Sequence, residues 1–274
     1  MTRLVPELLL DGLRFPEGPR WRGDRLWFSD MVGHQVMTVD LDGNTEVIAT
    51  LATRPSGIGF LPDGRPIVVS MTDGRVLVIE PDGEVNTFAD LSGVVGLHLN
   101  DMVVDSRGRA YVGYVDDPGA IVLVDGDHAP RVVAEVAFPN GTVITPEGDR
   151  LIVAATRGEA LLEFDIEADG SLSHRRVFAH IPDSTPDGIC LDAEGAVWVG
   201  SYRRGEFLRV LAGGTVTDRI DVGGRWALAC ALGGPDRRTL FLLSSETTME
   251  DFARRQSKGR IETTTVAVPG AGIP

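Results

Sequence analysis

Residues 55–90 read PSGIGFLPDGRPIVVSMTDGRVLVIEPDGEVNTFAD. Asp-Gly pairs at 63–64, 73–74 and 82–83 cut this stretch into four short runs, of which RPIVVS and RVLVIE are rich in Val and Ile. Asp-Gly is the sequence that a tight hairpin prefers, because glycine accepts a positive φ without steric cost. Four strand-like runs joined by three such turns read as a four-stranded antiparallel meander.

The same grammar returns along the chain. It is seen in FPEGPRWRGDRLWFSD (15–30), LNDMVVDSRGRAYVGYV (99–115), PNGTVITPEGDRLIVAAT (139–156) and PDGICLDAEGAVWVGSY (186–202). A sixth, more divergent copy begins RWALACALGGPDRRTLFLLS (225–244). Equivalent residues fall at 17, 56, 100, 140, 187 and 226, with steps of 39, 44, 40, 47 and 39. A period near 42 with four strands per unit marks a β-propeller, since each small sheet must bury both faces against its neighbours around a ring. An immunoglobulin-like sandwich lacks this period, and a doubly wound α/β fold needs helical patterns between strands that are not present. The expectation is an all-β, six-bladed β-propeller of four-stranded antiparallel blades, one domain over 1–274. The sixth copy offers only three strand candidates, whereas LVPELLLDG near the start resembles the outer strands EVNTFADL and PRVVAEVAF. Residues 4–10 are therefore expected to complete blade six and close the ring, which removes open sheet edges.

Composition agrees. The 33 glycines in 274 residues exceed the roughly 19 that average usage would supply, as a turn-rich fold requires. A net charge of −14 speaks against nucleic acid and anionic membrane as partners. The stretch MTRLVPELLL makes a poor signal peptide, because Pro6 and Glu7 interrupt its apolar run. No run approaches the roughly 18 apolar residues of a membrane span. Cys190 and Cys230 sit in the apolar runs GICL and ALACAL without zinc spacing and read as buried thiols. Together these features suggest a soluble, cytoplasmic protein, whose oligomeric state the sequence leaves open.

In a propeller the first strand of each blade lines the central channel, so equivalent positions at its entrance converge on one axis. Those positions are Glu17, Ser56, Asn100, Asn140, Asp187 and Trp226. Glu17, Asn100, Asn140 and Asp187 offer two carboxylates and two amide carbonyls, a hard oxygen set without His or Cys. Such a set favours one divalent ion, Ca²⁺ ahead of Mg²⁺, Mn²⁺ or Zn²⁺. The competing explanation is that PEG, PNG and PDG are ordinary turn tripeptides. Their placement ahead of apolar strands, and the presence of Glu17 and Asn100 among them, favours the metal.

These residues carry a family resemblance over essentially the whole chain. FPEGPRW, LND at 99–101, PNG at 139–141 and PDGICLDAEGAVWVGSY resemble the senescence-marker-protein, gluconolactonase and luciferin-regenerating-enzyme family of six-bladed propellers. The resemblance implies that Glu17, Asn140 and Asp187 hold a divalent metal, commonly Ca²⁺, with Asn100 at or beside it. It implies lactonase activity on a small-molecule substrate. Relatives of the family include a fluorophosphatase, so organophosphate or phosphotriester hydrolysis and a non-hydrolytic metal-assisted step are alternatives at the same site. From another class, the metal could merely brace a binding module.

A metal that polarises a carbonyl suits lactone hydrolysis, with Asp187 activating water or attacking directly. Because a dication lowers the basicity of a bound carboxylate, a metal-bound water with Asp187 orienting it is the other possibility. His98 lies two residues before Asn100, so on an extended strand it would share that face and reach substrate. Here the sequence departs from the family, some of whose sugar-lactone enzymes carry an arginine. Trp226 could stack on a ring-shaped substrate or belong to the core. Arg54, Tyr114 and Tyr202 lie near blade ends, and SSETTMEDFARRQSKG (244–259) could form a lid or a surface excursion. Asp101, Asp105 and Asp192 read as turn braces. The absence of GxSxG argues against a serine esterase.

Overall fold

The computed structural model describes residues 4–126 and 128–271. They form six four-stranded sheets, each antiparallel throughout. The inner strands are Pro16–Arg22, Pro55–Phe60, Leu99–Val104, Pro139–Ile144, Pro186–Leu191 and Trp226–Gly233. Each lies beside the next, and the sixth lies beside the first, so the ring is closed. This is a six-bladed β-propeller.

Blade six is built from Trp226–Gly233, Thr239–Glu246 and Lys258–Thr265, with Glu7–Leu13 as its outermost strand. The N-terminal closure expected from the sequence is present, but the strand runs 7–13 rather than 4–10. The shift has a packing reason, because Leu13 is buried in the cluster between blades six and one while Leu8 is exposed.

Six apolar clusters hold the ring together, one at each blade interface. Val36, Ile58 and Val68 join blades one and two. Val69, Val76, Met102 and Val112 join two and three, and Tyr111, Leu123, Leu151 and Phe164 join three and four. Ile152, Leu161, Val197 and Leu208 join four and five, Phe207 and Leu240 join five and six, and Phe28 and Phe241 join six and one. A sheet covered on both faces needs apolar side chains at successive positions, which is why RVLVI and AIVLV do not alternate with polar residues. No helix among the described residues is long and apolar enough to cross a membrane. The one α-helix among the described residues, α1 (Met249–Ala253), lies between strands Thr239–Glu246 and Lys258–Thr265 and is capped by the Thr248 hydroxyl, which accepts from the Asp251 amide.

Candidate metal centre at the channel mouth

Every inner strand breaks register at the same repeat position. The shifts fall between Glu17 and Arg20, Pro55 and Ile58, Leu99 and Met102, Pro139 and Thr142, Pro186 and Ile189, and Ala227 and Ala229. A bulge inserts an extra residue and re-aims its side chain, a device common next to active sites. PEG, PNG and PDG are thus parts of irregular strands and do not form hairpin turns.

Their glycines are required by close approach. A Cβ on Gly141 would lie 2.4 Å from the Ile189 nitrogen and 2.7 Å from the Asp187 carbonyl oxygen. On Gly188 it would lie 2.4 Å from the Ala229 Cβ. The inner strands crowd at the axis, and the absent side chains let neighbouring bulges approach one another.

The bulges link the expected residues into an arc. Ser56 Oγ donates to Asn100 Oδ1 at 3.4 Å, and Asn100 Nδ2 donates to Asn140 Oδ1 at 3.1 Å. Asn140 in turn hydrogen-bonds the Asp187 carboxylate and donates to Thr156 Oγ1 at 3.3 Å. Asp187, Asn140 and Ser56 are buried, while Glu17 and Asn100 are partly so. Glu17 stands within electrostatic reach of both Asp187 and Asp101.

Asp101 is the residue that sequence reasoning misplaced. It does not brace a turn, unlike Asp105 and Asp192, whose carboxylates accept amides two and four residues ahead. It occupies, in blade three, the position held by Gly18, Gly57, Gly141 and Gly188 elsewhere, and its carboxylate is buried. Arg20 Nη2 lies 3.6 Å from its Oδ1 and donates to the Met102 carbonyl at 2.5 Å. The signal was the break in the xG pattern at LND, where a charged residue replaces the glycine.

Three carboxylates therefore stand within electrostatic reach of one another, and of these Asp101 pairs with the buried guanidinium of Arg20. Burial, then the charge of Asp101, pushes Glu17 up to about 8. Burial, then Glu17 and Asp101, holds Asp187 well above the usual carboxylate range. Asp101 is raised by burial against the opposing pull of Arg20. Buried carboxyls that resist ionisation for want of a counter-charge, with two amide oxygens beside them, fit a hard dication. Among the described residues no group of three or more His, Cys, Asp or Glu is placed to hold a metal, so Glu17, Asp101 and Asp187 do not by themselves form a metal cage.

An aromatic wall flanks the arc. Trp226 lies 5.1 Å from Tyr202 and 6.4 Å, edge-on, from Phe15, and Phe252 of α1 lies 4.9 Å from Phe15. The 244–259 segment is therefore packed onto this wall through Phe252. His98 precedes its strand and is exposed, with Nδ1 2.8 Å from Asp116 Oδ2, so the shared strand face with Asn100 does not form. Tyr114 also hydrogen-bonds Asp116, which gives a polar network on the blade-three side. Deeper in the channel, Cys190 and Cys230 are both free, their sulfurs 3.7 Å apart.

Residues 15–246 match the SMP-30/Gluconolactonase/LRE-like region. The chain is 28% identical to a 6-deoxy-6-sulfogluconolactonase of Pseudomonas putida over 94% of its length and 93% of the relative's. It is 31% identical to a regucalcin of Xenopus laevis over 93% and 92%. Among solved structures it resembles a calcium-binding protein, regucalcin, of Agrobacterium tumefaciens, with a TM-score of 0.84 and 20% identity over 99% and 97% of the two chains.

Proposed function

The chain belongs to the SMP-30/gluconolactonase/LRE-like family, and from that premise we propose that it is a divalent-metal-dependent lactonase. Glu17, Asn100, Asn140 and Asp187 would hold the ion, with Ca²⁺ the first choice. The observation that carries the reading is the burial of Glu17, Asp101 and Asp187 within electrostatic reach of one another, where Arg20 pairs with Asp101 and the remaining charge must be offset by protons or by a bound cation. The ion, when bound, supplies polarisation of the lactone carbonyl and stabilises the charge that develops there.

The residues of the chain supply the rest. Asp187 accepts a proton from the water that adds to the carbonyl carbon, and the ring C–O bond then breaks as its oxygen takes a proton. The product is a hydroxy acid, which ionises and releases one proton to solvent. Asn140 orients Asp187 through their hydrogen bond, and Asn100 fixes Asn140. Trp226 and Tyr202 offer an aromatic face for the substrate ring, and His98, held by Asp116, offers a polar contact on the other side.

The test is proton release from a lactone panel, from γ-lactones to glucono-δ-lactone, by chelator-treated protein before and after Ca²⁺, Mg²⁺, Mn²⁺ or Zn²⁺. Turnover that appears only with added ion is the expected result. Inactivity of ion-loaded protein on the whole panel would contradict the proposal.

A further inference from the structure

About half of the described arginines are matched to an acid, among them Arg65 to Asp63 and Glu80, Arg209 to Asp192 and Glu194, and Arg225 to Glu262. At one sector of the mouth three of the others stand together. Among the described residues, Arg14, Arg54 and Arg255 make no ion pair, in a chain of net charge −14 where carboxylates are plentiful.

The three are gathered by the α1 segment. Arg54, partly buried and two residues before Ser56, lies over the ring of Phe252 at 5.1 Å. Phe252 packs on Phe15, two residues before Glu17. Arg14 Nη1 donates to the Arg255 carbonyl at 3.1 Å, which ties the end of the segment to blade one. Burial disfavours the charge on Arg54, and the neighbouring Arg255 disfavours it further. The Phe252 ring gives Arg54 a cation–π contact, but no carboxylate neutralises either guanidinium. A planar guanidinium is the side chain best shaped to grip an oxyanion with paired N–H donors.

We propose that Arg54 and Arg255 form an oxyanion-recognising wall of the mouth, and that the substrate is a lactone bearing a carboxylate, sulfonate or phosphate away from its reacting carbonyl. This rests on the lactonase reading above. The reacting carbonyl would face the Glu17, Asn100, Asn140 and Asp187 arc, and the anionic substituent the sector of blades one and two. Arg14 acts as a positioning residue through the Arg255 backbone.

The experiment compares kcat/KM for glucono-δ-lactone with its 6-phosphate, its 6-deoxy-6-sulfo analogue and a glucarolactone, using ion-loaded wild type, Arg54→Gln, Arg255→Gln and Arg54→Lys. At least one charged lactone should exceed the neutral one by about tenfold or more, mainly through KM, and added salt should shrink the margin. Which of the three wins identifies the anion. In each Gln variant the charged-to-neutral ratio should fall by about ten- to a hundredfold, the effect of losing a hydrogen bond to a charged group. Arg54→Lys should retain part of it, and circular dichroism checks that each variant is folded. Turnover of the neutral lactone with no preference for any charged one, or an unchanged ratio in folded Gln variants, overturns this inference alone. No turnover of any lactone overturns the lactonase reading and this inference with it.

Discussion

Asn100 Nδ2 donates to Asn140 Oδ1 at 3.1 Å, bridging the inner strands of blades three and four at their bulges. Each amide thereby fixes the other, and a cation held by both meets oxygens that are already placed. Asn100→Ala removes one oxygen and the brace on a second. Ca²⁺ affinity measured by titration calorimetry should fall by about ten- to a hundredfold, and unaltered affinity would show that the amides do not act together.

Protons and metal compete at Glu17. Between its ordinary 4.5 and the raised value of about 8, the folded metal-free protein binds more protons at this site than the unfolded chain. Stability of the metal-free protein therefore falls as pH rises through that window, and its contribution from Glu17 is lost above about 8. Ordinary carboxylates are already ionised above pH 6, so thermal melts from pH 6 to 8.5 in chelator isolate the effect. Melting temperature should decline, Ca²⁺ should reverse the decline, and Ca²⁺ binding at pH 7 should release protons. A flat or rising melting temperature would argue against the carboxylate cluster.

Asp187→Asn keeps shape and hydrogen-bonding size but removes the proton acceptor. Turnover by ion-loaded variant should drop by about two to four orders of magnitude, the scale of a lost general base. Near-normal rates would remove Asp187 from the chemistry.

The axial crowding makes its own demand. Gly141→Ala places a methyl 2.4 Å from the Ile189 nitrogen, in backbone that cannot yield as a flexible side chain would. Urea unfolding should show a loss of roughly 1–3 kcal/mol or more. A variant as stable as wild type would mean that the bulges are not packed as described.

How far these features could be read from sequence follows from what repeats. Glu17, Asn100, Asn140 and Asp187 were legible because the bulge that aims them recurs with the blade and leaves a periodic tripeptide. Asp101 was not, because its place in the channel comes from a position where the other blades show only glycine or an apolar residue, and an aspartate beside Asn looks like a turn. Arg20 was missed for a related reason: it lies in a strand as one charge among many, and only ring closure sets it against a residue 81 positions away. The closing strand was foreseen, but its bounds depend on Leu13 finding the interface between blades six and one. His98 shows the limit of i to i+2 reasoning, since the strand starts at Leu99 and bulges at once.

Ring closure through the chain start is a stability claim. Glu7–Leu13 supplies the fourth strand of blade six, with Leu13 buried between blades six and one. Deleting residues 1–13 should expose the edge of Lys258–Thr265, lower the melting temperature and promote association through that edge. A monomeric truncated protein of unchanged stability would count against the closure.

The most direct test of the central claim is an anomalous difference map from crystals of the protein soaked in Mn²⁺. One strong peak bounded by the side-chain oxygens of Glu17, Asn100, Asn140 and Asp187 is the predicted result. Crystals that bind Mn²⁺ elsewhere and leave this ring without a peak would contradict the account.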